Sequence, residues 1–128
     1  MNQLLKDVVE FHTTYSQPVL TEPTVPSKER QALRINLITE ELQELCAAFQ
    51  NNDIVEVADA LVDLMYVVNG CAAECGLQNL IDKCHTEVHA SNMSKLGADG
   101  KPIKREDGKI LKGPAFFSPN LKAIINGN

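Results

Sequence analysis

Six carboxylates that could bind a cation occur in two short stretches of this 128-residue chain. They are Glu40, Glu41 and Glu44 in the first stretch and Glu56, Asp59 and Asp63 in the second. The second stretch lies in a strongly apolar segment, residues 53–68, so a helix formed there is expected to be largely buried. Buried carboxylates need cations, donors or protons, and few Lys or Arg lie nearby in the sequence. A divalent metal ion would meet that need.

The spacing of these acids suits a shared site. On a helix that turns about 100° per residue, the three acids of the second stretch fall within roughly 60° of arc. Glu41 and Glu44, three residues apart, are neighbours on a helix surface. If the two helices pack antiparallel with these faces together, the acids surround one pocket. All-oxygen ligands favour Mg²⁺, with Mn²⁺ as the alternative, and such ions act mainly on phosphate oxygens.

Ordinary structural roles also fit parts of this pattern. Glu56 follows Asp53 by three residues and is a candidate for the reciprocal half of a capping box. The acids of the first stretch, taken alone, are typical of a solvated helix face. Neither role explains Asp59 and Asp63 inside an apolar segment, which favours the shared site.

The elements that must position these acids are helices. A first helix is predicted over residues 2–15, ended by Ser16-Gln17-Pro18. Ser27 is the predicted N-cap of a second helix, which runs to about Gln50. Asp53 is the predicted N-cap of a third helix, which runs to about Glu74. The short connection between them predicts antiparallel neighbours.

The rest of the chain predicts smaller elements. A fourth helix is expected over residues 77–96, ended by Gly97. A hairpin with a type I′ turn at Asp107-Gly108 is predicted over residues 103–112. Ser118 is the predicted N-cap of a short last helix. The expected fold is an all-α bundle of about four main helices with a small C-terminal β-hairpin, in a single domain over residues 1–128.

Composition limits the partners and the compartment. The 12 Lys and Arg against 17 Asp and Glu give a net charge of −5, which argues against nucleic-acid binding. The N-terminus lacks the features of a signal peptide, and the apolar run at residues 62–73 is too short to span a membrane. Four cysteines without CxxC spacing suit a reducing cytoplasm. The third helix is apolar nearly all round, so a homodimer or homotetramer is expected.

The two acidic stretches also carry a family resemblance. Glu40-Glu41-Leu42-Gln43-Glu44 followed by Glu56-Val57-Ala58-Asp59 resembles the EExxE and ExxD motifs of the all-α NTP pyrophosphohydrolases. That superfamily includes MazG, the dimeric dUTPases and phosphoribosyl-ATP pyrophosphohydrolase. Further segments that are similar to a MazG-like branch are Phe11-His12, Val25-Pro26-Ser27, residues 60–68, residues 88–96 and residues 99–114. The resemblance covers most of the chain.

The resemblance implies Mg²⁺-dependent cleavage of a nucleoside triphosphate to the monophosphate and pyrophosphate. The positions that match the family's metal ligands are Glu41, Glu44, Glu56 and Asp59. Glu40 matches a position that orients or deprotonates the attacking water, and Asp63 is left to support the ligands. The same resemblance leaves phosphoribosyl-ATP as an alternative substrate. A different class of protein, a non-catalytic helical interaction module with a structural metal, is also consistent with the acids.

Four other residues are candidates for substrate binding. Asn92 and Lys95 match an Asn/Lys element of the family, although a frayed helix end with a solvated Lys is the alternative. His12 is a candidate for stacking on a base. Arg34 lies near Glu41 on the helical wheel, as either its ion-pair partner or a phosphate contact.

Overall fold

The structure is a computed structural model that describes residues 1–127. Within them the chain forms helices and one two-stranded hairpin, so the predicted all-α class is confirmed. The elements are α1 (Gln3–Thr14), α2 (Lys28–Gln50), α3 (Ile54–Glu74), α4 (Ile81–Met93), β1 (Ile103–Lys104), β2 (Ile110–Leu111) and α5 (Leu121–Asn126). They fall into two compact units, Met1–Asn79 and Leu80–Asn128. That the two units form one domain stays a prediction.

The helices of the first unit begin at side-chain caps. The side chain of Asn2 accepts from the Leu5 N–H at 2.9 Å, and that of Ser27 from the Arg30 N–H at 3.3 Å. Asp53 caps α3, as predicted, by accepting from the Val55 N–H at 2.9 Å. Each cap satisfies a donor that has no partner within its helix, which fixes where the helix starts.

The pair α2 and α3 runs antiparallel, as the short connection predicted. Side chains join the helices near both ends, from Arg34 to Val67 and from Asn51 to Glu56. Ala48 of α2 and Ala60 of α3 are buried, and side chains this small allow two helix backbones to approach closely. Helix α1 packs on α3 and contributes the buried core residues Leu5 and Val8.

The expected burial of α3 is wrong for the single chain. Its acids Glu56, Asp59 and Asp63 are exposed, and so are large apolar residues such as Ile54 at 77% and Val62 at 52%. Only small residues and Glu74 are buried along it. The reason is that apolar composition alone does not say what covers a helix. Within this unit α1 and α2 pack on α3, and the connector after α1 adds backbone hydrogen bonds from Leu20 and Thr24 at the C-terminal end of α3.

In the second unit, α4 is shorter than predicted. It begins at Ile81 rather than at residue 77, and the Leu77 N–H instead donates to the Ala72 carbonyl, at 2.9 Å, in the turn that ends α3. It ends at Met93, and the Ser94 hydroxyl then donates to the Ser91 carbonyl at 2.6 Å. A helix among residues 1–127 that is both long and apolar enough to span a membrane does not occur.

The hairpin is confirmed, but its turn differs from the prediction. Ile103 pairs with Leu111 and Lys104 with Ile110 in an antiparallel register. A type I′ turn needs two residues with positive φ, whereas Gly108 alone has one in this turn, at 89°. The last helix begins after Asn120 rather than Ser118, because the Asn120 side chain accepts from the Ala123 N–H at 3.2 Å.

Candidate active site

A pocket of about 480 Å³ lies between α2 and α3 and is lined mainly by acids. We call it the acidic pocket. Its lining residues are Glu41, Glu44, Glu56, Asp59 and Asp63, together with Ala47, Asn51 and Ala60. None of these residues is a Lys, Arg or His. Five of the six predicted acids therefore meet in one place without a cation among the lining side chains.

The antiparallel register brings the acids of the two helices together. Glu41 of α2 is close enough to Asp63 of α3 for the charge of Asp63 to act on it. At the other side of the pocket, the Asn51 side chain donates to Glu56 Oε2 at 3.1 Å and holds that carboxylate in place. The capping-box alternative for Glu56 is not formed, because the Asp53 N–H donates to the Ala48 carbonyl instead.

Electrostatic crowding is visible at Glu41. Burial raises the pKa of this carboxyl, and the negative charges of neighbouring acids raise it further. In decreasing order of effect those neighbours are Asp63, Glu44, Glu40 and Asp59. Because like charges placed so close destabilise one another, a bound cation would relieve the repulsion.

The donor set fits a hard cation. Among residues 1–127, no three acidic, His or Cys side chains are already gathered around one point as a finished metal site. Mg²⁺ does not require such a cage, since it usually keeps several waters and binds through one or two carboxylates. The four acids predicted as ligands all line the pocket.

Glu40 lies outside this set. Its side chain is exposed and does not line the acidic pocket. Its charge nevertheless raises the pKa of the adjacent Glu41, so Glu40 is near the site without forming its wall.

The structure places His12 and Arg34 in the interior of the first unit, outside the pocket lining. The buried His12 ring donates from Nδ1 to the Pro18 carbonyl at 2.9 Å, so stacking on a base is not available to it there. Arg34 is 5% exposed, and its Nη1 lies 3.1 Å from a carboxylate oxygen of Glu74. Of the two roles open to Arg34, the ion pair with Glu41 is replaced by this one, because Glu74 offers a buried carboxylate where Arg34 faces α3. A phosphate contact by Arg34 stays a prediction.

Asn92 and Lys95 belong to the second unit. Asn92 is exposed on α4, and Lys95 is half-buried in the turn that follows. Their part in substrate binding stays a prediction.

Two residues that matter here were missed from the sequence. The sequence places Asn51 in the short connection between the second and third helices and predicts no role for it, yet it lines the pocket and holds Glu56. The sequence predicts Glu74 only as the approximate end of a helix, yet it is 1% exposed and forms ion pairs with two arginines. An acid at the end of an apolar helix was the available signal for Glu74.

Comparison with known proteins bears on the chemistry. The family described as phosphoribosyl-ATP pyrophosphohydrolase matches residues 8–92, which contain all six acids. A solved structure of a provisionally named NTP pyrophosphohydrolase from Exiguobacterium sp. 255-15 is 26% identical, covering 98% of this chain and 95% of its own, with a TM-score of 0.46. No curated protein matches the chain. The resemblance inferred from the sequence is confirmed by the family match.

Proposed function

Because the chain belongs to the phosphoribosyl-ATP pyrophosphohydrolase family and is a hydrolase of pyrophosphate bonds, we propose that it cleaves a nucleoside triphosphate between the α- and β-phosphates. The products are the nucleoside monophosphate and pyrophosphate. The observation that supports this most is the acidic pocket, where five carboxylates face each other without a basic lining residue. An anionic triphosphate enters such a pocket only with cations that neutralise both sides.

We propose Mg²⁺ as the physiological cation, with Mn²⁺ as a substitute. When bound, it would supply charge neutralisation for the triphosphate and hold it in line for attack by water. The residues that would hold it are Glu41, Glu44, Glu56 and Asp59. Asn51 keeps Glu56 oriented by its 3.1 Å hydrogen bond before any ion arrives.

The attacking water must lose a proton to a carboxylate oxygen. Glu40 is the candidate from the sequence, but it does not line the pocket. Asp63 does line it and is not among the residues proposed to hold the ion. We therefore assign the proton acceptor to Glu40 or Asp63, to be separated by substitution.

Phosphoribosyl-ATP is the second candidate substrate, and it is supported by the description of the matched family, which names this compound. It carries the same triphosphate, so the acidic pocket would perform the same cleavage on it. The two candidates differ in what lies beyond the triphosphate, which the acids do not contact. Only a direct assay separates them.

The test is a panel of nucleoside and deoxynucleoside triphosphates plus phosphoribosyl-ATP, assayed with Mg²⁺ for pyrophosphate release. Wild type should cleave at least one of them, and Glu44→Gln should be slower by about 100-fold or more. Glu29→Gln is the matched control, since Glu29 lies on the same helix outside the pocket and should leave the rate unchanged. If no triphosphate is cleaved while Mg²⁺ still binds, the chain is a helical module with a structural metal.

We also propose that the chain forms a homodimer or homotetramer. Exposed apolar residues run along α3, among them Ile54, Val55 and Val62. Burying such a surface against another copy is the usual way to remove it from water. Light scattering on the purified chain gives the mass directly, and a monomer at micromolar concentration contradicts this proposal.

A further inference from the structure

The α2–α3 interface has a second polar region, which we call the closed end: Arg30, Arg34, Gly70 and Glu74. Arg30 donates two hydrogen bonds to Glu74, from Nε to Oε1 at 2.8 Å and from Nη2 to Oε2 at 2.9 Å. Arg34 reaches the same carboxylate from Nη1 at 3.1 Å. Both carboxylate oxygens are thus satisfied, although the residue is almost fully buried.

Gly70 makes room for Arg34 inside the surface of α3. A Cβ atom at Gly70 would overlap Arg34 Nη2 and come within 2.9 Å of His12 Nε2. The same Nη2 donates to the Val67 carbonyl at 2.7 Å, one turn earlier on α3. The guanidinium therefore occupies the space that any larger residue at position 70 would fill. A glycine inside a helix is destabilising relative to alanine, and this contact is a physical reason for a glycine at position 70.

This contact and the acidic pocket share one register. Glu41 is seven residues after Arg34, and Asp63 is seven residues before Gly70. Seven residues are close to two helical turns, about 10.5 Å. In an antiparallel pair of helices, Glu41 therefore faces Asp63 on the same side of the interface on which Arg34 faces Gly70. The charge that acts most on Glu41 is indeed that of Asp63. A slip of one turn at the closed end would put Glu41 opposite a different residue.

The buried apolar residues near the pocket specify this register weakly. Ala48 of α2 and Ala60 of α3 are small and present a smooth surface. Arg34, by contrast, is a charged residue that is buried although its Nε has no hydrogen-bond partner among residues 1–127. Buried polar groups kept at a cost in stability are best attested as devices that fix register.

We propose that Arg34 is a positioning residue for the acidic pocket. Its contacts with Gly70, Val67 and Glu74 set the register of α2 on α3 and so place Glu41 opposite Asp63. The inference rests on the proposed function to the extent that these acids bind a divalent cation.

The test measures Mn²⁺ binding to the full chain by the loss of the free-ion EPR signal, with thermal unfolding of each variant alongside. Gly70→Ala should weaken Mn²⁺ binding by about tenfold, because the added methyl group evicts the guanidinium. Arg34→Ala should weaken it by a similar factor. In the double variant the methyl group no longer meets the guanidinium and has only the 2.9 Å contact with His12 Nε2 to relieve, so Gly70→Ala should then change the affinity by no more than about twofold.

Arg30→Ala is the matched control. It removes an arginine from the same Glu74 but leaves the Arg34–Gly70 contact, so it should lower the unfolding temperature with Mn²⁺ affinity within about twofold of wild type. Additive effects of Gly70→Ala and Arg34→Ala, or an equal loss of affinity in Arg30→Ala, would overturn the positioning role. If wild type binds Mn²⁺ and all variants match it, only this inference fails. If wild type binds none, the proposed function fails with it.

Discussion

The two ends of the α2–α3 interface differ in whether the chain itself neutralises their carboxylates. At the closed end, Glu74 is buried and both of its oxygens are bound by Arg30 and Arg34. In the acidic pocket, five carboxylates line about 480 Å³ of space without any basic lining residue. The same pair of helices thus supplies its own cations at one end and supplies none at the other. The difference is the reason why we propose that a cation from outside the chain neutralises the pocket.

The pKa shifts at the two ends have opposite meanings. The hydrogen bond to Glu74 raises the pKa of Arg30, which stabilises the charged guanidinium. Burial and neighbouring acids raise the pKa of Glu41, which destabilises its charged form. One end is electrostatically satisfied and the other is strained, as expected of a site whose stability is limited by its function.

Removing the carboxylate of the closed end should have the largest effect on stability. Glu74→Ala leaves Arg34 buried without its ionic partner, and breaking a buried pair this way costs about 3–5 kcal/mol. Urea unfolding measures the loss. Glu10→Ala, at an exposed position of α1, should change the unfolding free energy by less than about 0.5 kcal/mol. A loss no larger than that control would show that the closed end is not stabilising.

Removing a carboxylate of the pocket should act in the other direction. Asp59→Asn takes one negative charge from a crowded site, so without metal the unfolding free energy should stay level or rise. The rate of pyrophosphate release should nevertheless fall by about 100-fold or more, equivalent to about 2.7 kcal/mol. Parallel assays of rate and urea unfolding test both signs. A variant that loses stability and rate together would remove the contrast between the two ends.

The sequence predicted the parts of this contrast that are local. The caps Ser27 and Asp53 are short-range features, and both helices start where these residues predict. The acids Asp59 and Asp63 were identified because they interrupt an apolar helical face, and both line the pocket.

The closed end could not be predicted in the same way. A helical wheel places Arg34 near Glu41 on its own helix, whereas its partner in the structure, Glu74, lies on the next one. Which residues face each other across two helices depends on their register, and one-helix periodicity carries no information on register. The exposure of Ile54 was missed for a related reason, since periodicity does not say which elements cover a face.

Adding Mg²⁺ should stabilise the protein through the pocket alone. A ligand that binds only the folded state stabilises it by about 1.4 kcal/mol at ten times its dissociation constant. Thermal unfolding with and without Mg²⁺ should show this gain in wild type and lose most of it in Asp59→Asn. Arg30→Ala, altered only at the closed end, should keep the gain. Equal stabilisation of all three proteins would place the ion somewhere other than the pocket.

The smallest expected effect is a dependence of stability on pH in the absence of metal. The pKa of Glu41 is raised above the ordinary value of 4.5, so the folded state holds this proton more tightly than the unfolded chain does. The stability that this group contributes is therefore present below about pH 4.5 and is lost as the pH rises through the raised pKa. Glu74, bound by two arginines, has no such crowding to relieve.

The test is urea unfolding with a chelator at about pH 4.5 and about pH 7. The unfolding free energy should fall less between these two values in Glu41→Gln than in wild type. Mg²⁺ should remove the difference at the higher pH, because it neutralises the charge that the proton neutralised before. Identical pH profiles for wild type and Glu41→Gln would mean that the acids of the pocket are too well solvated to repel one another.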